Sequence, residues 1–355
     1  IPSIFILLAL ILALMASCKK TVEPAPIIPL EDFFKNPEKS SYQISPDGKY
    51  FSYTAPYQSR MNVYIQEIGK DSAVRITNET ERSIAGYFWG NNNRILFLKD
   101  TGGDENYQLY GVDIDGGNLL PLTAFAGVRT SIIDDLPEFE DEMIVGLNKR
   151  NPQIYDPYRL NIKTGELTML AENPGNIQGW VTDHDGKLGI ALALDGGNQT
   201  WLYRDSEEEP FKPVITTNFK ESLTPYVFTT DNQKLYAGSN IGRDKEALII
   251  FDPKTGEEVE MLYENDTYDL SGVAYSRKEK ELKGVSFMAH NGVKRHFFKD
   301  DWKNMFGKIE AHVGSGVPFG IADMNKAEDM MIVVTYNDKT PGQYHLYDVK
   351  QDKIT

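Results

Sequence analysis

A short hairpin pattern recurs along the chain, and this repetition constrains the fold more than any other feature of the sequence. The first copy, YQISPDGKYFSYTAP at residues 42–56, places Ser45-Pro46-Asp47-Gly48 between segments rich in Tyr and Phe. Proline suits the first corner of a turn and glycine a corner with positive φ, so this stretch predicts strand, tight turn, strand. The later copies are WGNNNRILFLKD, EFEDEMIVGLN, TDHDGKLGIALAL, TTDNQKLYAGSN, SRKEKELKGVSF and NKAEDMMIVVTY. Successive turns lie roughly 45 to 49 residues apart, a spacing typical of propeller blades.

A second strand pattern repeats in phase with the hairpins. Its copies run from aromatic or aliphatic residues into an Asp- or Lys-containing turn: NVYIQEIGKD, QLYGVDIDGG, DPYRLNIKTGE, TWLYRDSEEE, ALIIFDPKTGEE, RHFFKDDWKN and YHLYDVKQDK. Several are followed by a short fourth strand, and no long helical periodicity interrupts the series. The sequence therefore predicts an all-β fold, a seven-bladed β-propeller of four-stranded antiparallel blades over residues 42–355. Since the first and last repeats lie near the chain ends, we expect the ring to close by packing alone.

The N-terminal segment has the pattern of an export signal. It is an uncharged apolar run, shorter than the about 20 residues that a transmembrane helix needs, and it ends in small residues before Cys18. The sequence MASC is similar to the lipobox of bacterial lipoproteins, in which the signal is cleaved before a cysteine that then carries lipid. We therefore expect a signal peptide over residues 1–17 and a lipid-anchored tether and lead-in over 18–41. The protein would be exported and held by the lipid on Cys18 in the membrane of the bacterial cell envelope; an incidental cysteine is the alternative.

Charge and cysteine content narrow the possible partners. The formal net charge is −15, whereas a nucleic-acid-binding protein needs a basic face for the phosphate backbone. Excess carboxylate equally disfavours electrostatic docking on an anionic membrane. Cys18 is the only cysteine, so no intramolecular disulfide is available. We predict no nucleic-acid partner.

The loops between the second and third strands of the blades are the candidate binding surface. In a four-stranded blade these loops all emerge on one side of the ring, and here they bring charged residues of both signs to that side. The residues predicted to face a substrate or partner are Arg60, Asp104, Glu105, Arg150 and Arg243. Ordinary solvated loop tips are the alternative interpretation.

No catalytic constellation is visible in the sequence. The strings GSNIG and VGSGVPFG lack the spacing of a nucleophile elbow, and both are predicted to lie in loops. The five histidines show no metal-binding spacing, so we predict no metal and no cofactor. A catalyst normally brings a nucleophile or metal with an orienting base. These residues specify a scaffold instead, and the chain should be inactive alone.

Four segments carry a resemblance to a known family. They are PLEDFFKNPEKSSYQISPDGKYFSYTAPYQSRMNVYIQ, LFLKDTGGDENYQLYGVDIDGG, LTAFAGVRTSI and NKRNPQIYDPYRLNIKTGE. Together they resemble the start of serine peptidases of the prolyl oligopeptidase family (S9), of the secreted type common in Bacteroidetes. The likeness is specific over about residues 29–165 and looser beyond. It implies a seven-bladed propeller that precedes and covers a C-terminal α/β-hydrolase domain with a Ser-Asp-His triad, and that limits substrates to short peptides.

The resemblance also implies where catalysis would lie. The hydrolase domain should begin just beyond Thr355, so no catalytic residue of the family can be mapped onto this chain. Since the chain also opens on Ile1 rather than Met, we interpret it as truncated at both ends.

Two functions stay open at this point. The first is a non-catalytic propeller of an S9-like serine peptidase, which gates and orients short peptides over its hydrolase domain. The alternative is a complete envelope lipoprotein, similar to propellers of the periplasmic TolB type, that binds a protein or glycan. The peptidase-like N-terminal segment favours the first.

Overall fold

The computed structural model describes residues 25–290, 292–339 and 341–355, and it divides the chain into two compact units. The predicted signal peptide and Cys18 lie outside the described residues. In the first unit, Ile1–Asn36, the described part contains one short helix, α1 (Leu30–Phe34), with Glu31 and Asp32 in its first turn.

The second unit, Pro37–Thr355, contains seven antiparallel sheets, each built from consecutive strands. The strands of blade 1 are β1 (Ser40–Ile44), β2 (Tyr50–Tyr57), β3 (Arg60–Glu67) and β4 (Ala73–Arg75). Those of blade 2 are β5 (Gly86–Asn91), β6 (Arg94–Lys99), β7 (Gln108–Asp113) and β8 (Leu120–Pro121). Those of blade 3 are β9 (Thr130–Asp134), β10 (Glu142–Asn151), β11 (Ile154–Asn161) and β12 (Leu167–Met169). Those of blade 4 are β13 (Ile177–Thr182), β14 (Leu188–Asp195), β15 (Asn198–Tyr203) and β16 (Lys212–Thr217).

The remaining three blades include one that departs from the pattern. Blade 5 consists of β17 (Leu223–Phe228), β18 (Leu235–Ser239), β19 (Ala247–Asp252) and β20 (Glu257–Tyr263). Blade 6 has only β21 (Leu270–Ser276), β22 (Glu281–Ala289) and β23 (Gly292–Phe297), followed by helix α2 (Asp300–Val313). Blade 7 consists of β24 (Phe319–Met324), β25 (Met330–Thr335), β26 (Gln343–Asp348) and β27 (Lys353–Ile354). The predicted seven-bladed propeller is confirmed.

In blade 6, helix α2 follows the third strand and takes the place of a fourth strand. Asp300 and Asp301 lie in its first turn, where carboxylates complement the helix dipole. Its buried residues follow helical spacing and are Trp302, Met305, Phe306 and Ile309. They pack in one cluster with Phe319, Met331 and Tyr347 of blade 7. In the described part of the chain, neither helix is long and apolar enough to cross a membrane.

The recurring turn has a specific hydrogen-bonding pattern. In blade 1 the buried Ser45 Oγ accepts the N–H groups of Lys49 and Tyr50 at 3.1 and 2.9 Å, and Gly48 has a φ of +71°. The same turn position holds a side-chain oxygen acceptor in four other blades: Asp183, Thr229, Ser276 and Asn325. The first predicted strand–turn–strand is confirmed, and these short polar side chains explain its recurrence because they satisfy backbone donors within the turn.

Hydrogen bonds join each blade to the next around the ring. The seven contacts are Gln43 Nε2 to Tyr87 O (2.7 Å), Asn91 Nδ2 to Glu140 O (3.0 Å), Arg159 Nη2 to Gly186 O (2.7 Å), His184 N to Asn232 Oδ1 (3.0 Å), Thr230 Oγ1 to Lys280 O (2.7 Å), Ser276 Oγ to Glu328 Oε2 (2.7 Å) and Lys326 N to Pro46 O (2.9 Å). The last contact joins blade 7 to blade 1, where the rings of Tyr42 and Tyr344 also lie 4.9 Å apart. Because no sheet of the described residues combines strands from both ends, the ring closes without a shared sheet; the contact includes hydrogen bonds as well as the predicted packing.

Candidate functional site: the central channel and the loop face

The first strands of the blades line a central channel. β1 contacts β5 and β24, and β9 contacts β13, so these strands form the innermost circle. Two cavities of about 690 and 640 Å³ lie in this channel. The larger one is walled chiefly by blades 3 to 6, and the smaller one chiefly by blades 1, 2, 6 and 7. Aromatic side chains on these walls include Phe88, Trp89, Trp180, Tyr226 and Tyr275.

The two ends of the channel differ in the chain segments that surround them. The turn face carries the turns from first to second strands, such as residues 45–49 and 183–187. The loop face carries the hairpins from second to third strands and the connections between blades. Since neighbouring strands are antiparallel, the chain enters each blade and leaves each four-stranded blade at the loop face.

Carboxylates on the channel wall are held by the wall itself. Asp183 Oδ1 accepts the N–H groups of Asp185 and Lys187, both at 2.9 Å, and burial raises the pKa of the Asp183 carboxyl. Asp323 accepts the N–H groups of Ile44 and Met324 at 2.9 Å, and burial raises the pKa of this carboxyl as well. Their hydrogen-bonding capacity is therefore largely used within the fold.

Replacing Asp183 by asparagine should remove a pH dependence of stability. A carboxyl whose pKa is raised in the folded state stabilises the fold at pH values below the usual carboxyl pKa. This contribution is lost as pH rises through the raised pKa. Relative to Asp183→Asn, the wild type should therefore lose stability from acidic to neutral pH. The asparagine Oδ1 can keep both backbone hydrogen bonds. Thermal unfolding midpoints across this pH range measure the difference.

Asp231, in the equivalent turn of blade 5, is the matched control. Hydrogen bonds from the Thr229 hydroxyl (2.6 Å) and Gln233 N–H (3.1 Å) lower the pKa of its carboxyl. The comparison of the wild type with Asp231→Asn should show the opposite pH dependence. The wild type should be the more stable of the two above the usual carboxyl pKa range, and this difference should be lost as pH falls. Equal pH profiles for Asp183→Asn and the wild type would contradict the assignment of a raised pKa to Asp183.

Two side chains of blade 6 reach across the channel at the turn face. Arg277 Nη1 lies 3.3 Å from Asp135 Oδ2 of blade 3, on the opposite side of the ring. The Tyr275 hydroxyl lies 3.2 Å from His184 Nε2 of blade 4, which also donates to Phe228 O at 2.9 Å, and the rings of Tyr275 and His184 stack at 6.1 Å. Burial raises the pKa of Tyr275 to about 12, so its hydroxyl stays protonated at neutral pH. These contacts join blades that are not neighbours.

On the loop face, three of the predicted residues belong to blades 1 and 2. Arg60 begins β3, and its Nε donates to Glu81 O at 2.7 Å. Asp104 is bonded within its own loop: hydrogen bonds from the side-chain and backbone N–H groups of Asn106, both 3.1 Å, lower the pKa of its carboxyl. Glu105 is exposed and has a positive φ of 57°.

The two remaining predicted residues, Arg150 and Arg243, form ion pairs inside their own blades, and that of Arg150 is bidentate. Arg150 Nε and Nη2 each lie 3.0 Å from the carboxylate oxygens of Asp156, whose side chain is fully buried. Arg243 Nη2 lies 2.7 and 2.9 Å from those of Glu258, which is about one third exposed. In the described structure none of these five residues is hydrogen-bonded or ion-paired to another of the five, and a binding role for them stays a prediction.

An apolar patch on the loop face was not predicted from the sequence. It comprises Leu194, Phe219, Met288 and Tyr336, whose exposed fractions are 46, 79, 60 and 44 %. Leu194, Met288 and Tyr336 lie at the ends of the second strands of blades 4, 6 and 7, and Phe219 lies between blades 4 and 5. The sequence signal that could have indicated this patch is a large apolar residue at the end of a second strand, directly before a polar hairpin.

The histidines do not assemble a metal site. The ring of His296 stacks on Tyr263 at 4.7 Å, whereas His290 lies edge-on to Tyr268 at 6.2 Å. Among the described residues, no group of three or more His, Cys, Asp or Glu side chains could hold a metal ion.

Comparison with known proteins identifies sequence relatives among peptidases, although no family model matches. The chain is 29 % identical over 346 residues to dipeptidyl aminopeptidase BIII of Pseudoxanthomonas mexicana, covering 93 % of this chain and 48 % of that protein. It is 27 % identical over 290 residues to dipeptidyl peptidase family member 6 of Caenorhabditis elegans, covering 74 % of this chain and 38 % of that protein. The chain thus spans about half or less of the length of these curated relatives.

Solved structures of peptidases share the fold. A prolyl endopeptidase structure superposes with a TM-score of 0.61 at 12 % identity, over 91 % of this chain and 50 % of the other. Prolyl oligopeptidase B from Galerina marginata gives a TM-score of 0.59 at 11 % identity, over 89 % of this chain and 50 % of the other. The sequence relatives and the seven-bladed fold agree with the similarity to the N-terminal propeller domains of the prolyl oligopeptidase (S9) family.

Proposed function

We propose that this chain is the non-catalytic propeller of a serine peptidase, in which the loop face covers a hydrolase domain and the channel restricts access to short peptides. The observation that carries the proposal is the apolar patch on the face where the polypeptide enters and leaves the propeller. A domain continuous with the chain would meet the propeller there. The curated relatives, which are about twice as long or longer, are named as peptidases of dipeptidyl type.

The patch has the character of a surface that another domain covers. Its four large apolar side chains come from blades 4 to 7, so they lie on one part of the loop face. Exposed apolar patches of this kind mark interaction surfaces more often than isolated apolar residues do. Charged residues share this face, including Arg243 in the hairpin of blade 5, as the polar rim of an interface would require. We assign the hydrolase domain as the occupant because the chain termini of the propeller point to this face.

The channel supports a sorting role by size. Its two cavities, of about 690 and 640 Å³, are in the range of ligand sites rather than of spaces that hold a folded domain. Their walls combine aromatic surface with carboxylates and cations, so an extended peptide would find both apolar and polar contacts. The propeller would then orient short peptides and exclude globular proteins on steric grounds.

Lipid anchoring is part of the same proposal and rests on the sequence alone. A lipid on Cys18 would attach the propeller to an envelope membrane through the segment that precedes Ser40. The chemistry of MASC after an apolar run supports this, because small residues before cysteine are what lipoprotein signals present.

The deciding experiment compares this chain with the complete product of its gene. We expect the complete product to hydrolyse chromogenic dipeptide substrates and to lose that activity with a serine-directed inhibitor, whereas residues 25–355 alone are inactive. A reading frame that stops at Thr355, or a longer product without hydrolase activity, would contradict the proposal. The envelope scaffold that binds a protein or glycan would then be the function to test.

A further inference from the structure

We propose that Tyr275 and Arg277 of blade 6 form a latch that closes the turn-face end of the central channel. Its biological meaning rests on the proposed peptide-gating function, but its existence does not. The latch consists of the Arg277–Asp135 ion pair and the Tyr275–His184 hydrogen bond. Its state would set whether solutes reach the channel from the face opposite the proposed hydrolase domain.

The connectivity of the contacts is what makes them a latch. Asp135 directly follows β9 and Arg277 directly follows β21, the innermost strands of blades 3 and 6. These blades are separated by two blades on one side and three on the other, so a bond between them must span the channel. Tyr275 and Arg277 are two residues apart at the end of β21, and side chains at that spacing leave a strand on the same side. The side chains of Tyr275 and Arg277 therefore both extend across the channel from the end of β21.

The cavities on either side of the latch agree with this geometry. Asp135, Tyr275 and Arg277 line both the larger and the smaller cavity. The larger one extends toward blades 4 and 5, and the smaller one toward blades 7, 1 and 2. The crossing side chains thus stand between two parts of one channel. Removing them would merge the two parts and widen the opening.

The ion pair is weak enough to open. The side chains of Arg277 and Asp135 are 64 and 44 % exposed, and the 3.3 Å contact is a single one, unlike the bidentate pair of Arg150. Exposed ion pairs contribute little to stability and are screened by salt. Burial raises the pKa of the Asp323 carboxyl of blade 7, and the positive charge of Arg277 partly opposes this rise. Asp323 is thus a second carboxylate that interacts with Arg277. A cationic group of an incoming peptide could therefore take the place of Arg277 beside these carboxylates.

The tryptophans of the chain provide a direct readout. Trp180 lines the larger cavity and Trp89 the smaller one, whereas Trp201 and Trp302 are 1 and 8 % exposed. Quenching of tryptophan fluorescence by acrylamide therefore reports chiefly on access to the channel. Trp89→Phe isolates the signal of Trp180.

We expect Arg277→Ala to raise the quenching constant of Trp180 by up to about fivefold, the factor that corresponds to an exposed ion pair. Asp135→Asn should have the same effect, and the double variant should add nothing. In about 1 M salt, where the Debye length is roughly 3 Å, the wild type should approach Arg277→Ala while the variant hardly changes. Tyr275→Phe should give a smaller increase, because it removes a hydrogen bond and keeps the ring.

Arg243→Ala is the matched control, since it breaks an ion pair on the loop face, away from the latch. Its quenching should equal that of the wild type. The latch is refuted if the quenching constants of Arg277→Ala and Asp135→Asn equal that of the wild type while the unfolding temperatures are unchanged. It is also refuted if Arg243→Ala raises the quenching constant by the same factor as Arg277→Ala. The assay involves no hydrolysis. A closed latch with an inactive gene product would contradict only the proposed function, and an active product with no latch would contradict only this inference.

Discussion

Replacing Asp156 by alanine is expected to lower the free energy of unfolding by about 2–3 kcal/mol, because the substitution leaves several donors without their acceptor. Asp156 is fully buried and accepts three hydrogen bonds, two at 3.0 Å from Arg150 and one at 2.8 Å from Asn173 N–H. Asn173 precedes blade 4, so the carboxylate also fixes the connection between two blades. The loss stays below that of a wholly buried ion pair because Arg150 is 36 % exposed and water can reach it. Denaturant unfolding followed by tryptophan fluorescence measures it.

Glu258→Ala is the matched control, because the Glu258 carboxylate also pairs with an arginine, through Arg243 Nη2, and is more exposed than that of Asp156. Its unfolding midpoint should stay close to that of the wild type. The pair of variants also separates two interpretations of the predicted loop residues. If Asp156→Ala leaves stability unchanged, Arg150 is not a structural residue, and its assignment to a substrate-facing site gains support.

The fold was predictable because each blade repeats its own local signals. Short polar side chains such as Ser45 and Thr229 satisfy backbone donors within each turn, and this need recurs wherever two strands meet at the turn face. A repeated local requirement leaves a repeated pattern in the sequence. Helix α2 was missed although Trp302, Met305, Phe306 and Ile309 have helical spacing, because the preceding strand led us to expect another strand. The helix forms there because its apolar face packs against blade 7, and such a tertiary contact cannot be read from the local sequence.

The candidate site was predictable only as a face of the ring. The positions of the loops follow from strand order, so the side on which Arg60, Glu105 and Arg243 lie could be derived. The partners of these side chains could not. Arg277 and Asp135 are 142 residues apart, and nothing in their local sequence indicates that a closed ring brings them together. Long-range contacts of this kind depend on ring geometry, which repetition predicts in outline but not at the level of atoms.

In the complete gene product, the double substitution Phe219→Asp, Met288→Asp is expected to lower kcat/KM for dipeptide substrates by about tenfold or more, equivalent to about 1.4 kcal/mol. Both side chains are largely exposed in this chain, at 79 and 60 %, and would be buried beneath the proposed hydrolase domain. Burying a carboxylate without a partner is costly, so the two domains should separate more often. Substrates would then be oriented less well. Steady-state kinetics measures the loss, and limited proteolysis between the domains measures their separation.

Val259→Asp is the control for introducing a carboxylate at an exposed apolar position. Val259 lies on β20, the outermost strand of blade 5, and is 49 % exposed. It should leave both kcat/KM and proteolysis unchanged. Since Phe219 and Met288 are exposed here, the double substitution should also leave the unfolding of residues 25–355 unchanged, so a loss of activity cannot come from a misfolded propeller. Full activity and unchanged proteolysis in the double variant would show that the apolar patch does not contact the catalytic part of the protein. The loop face would then need a different partner to account for its exposed apolar side chains.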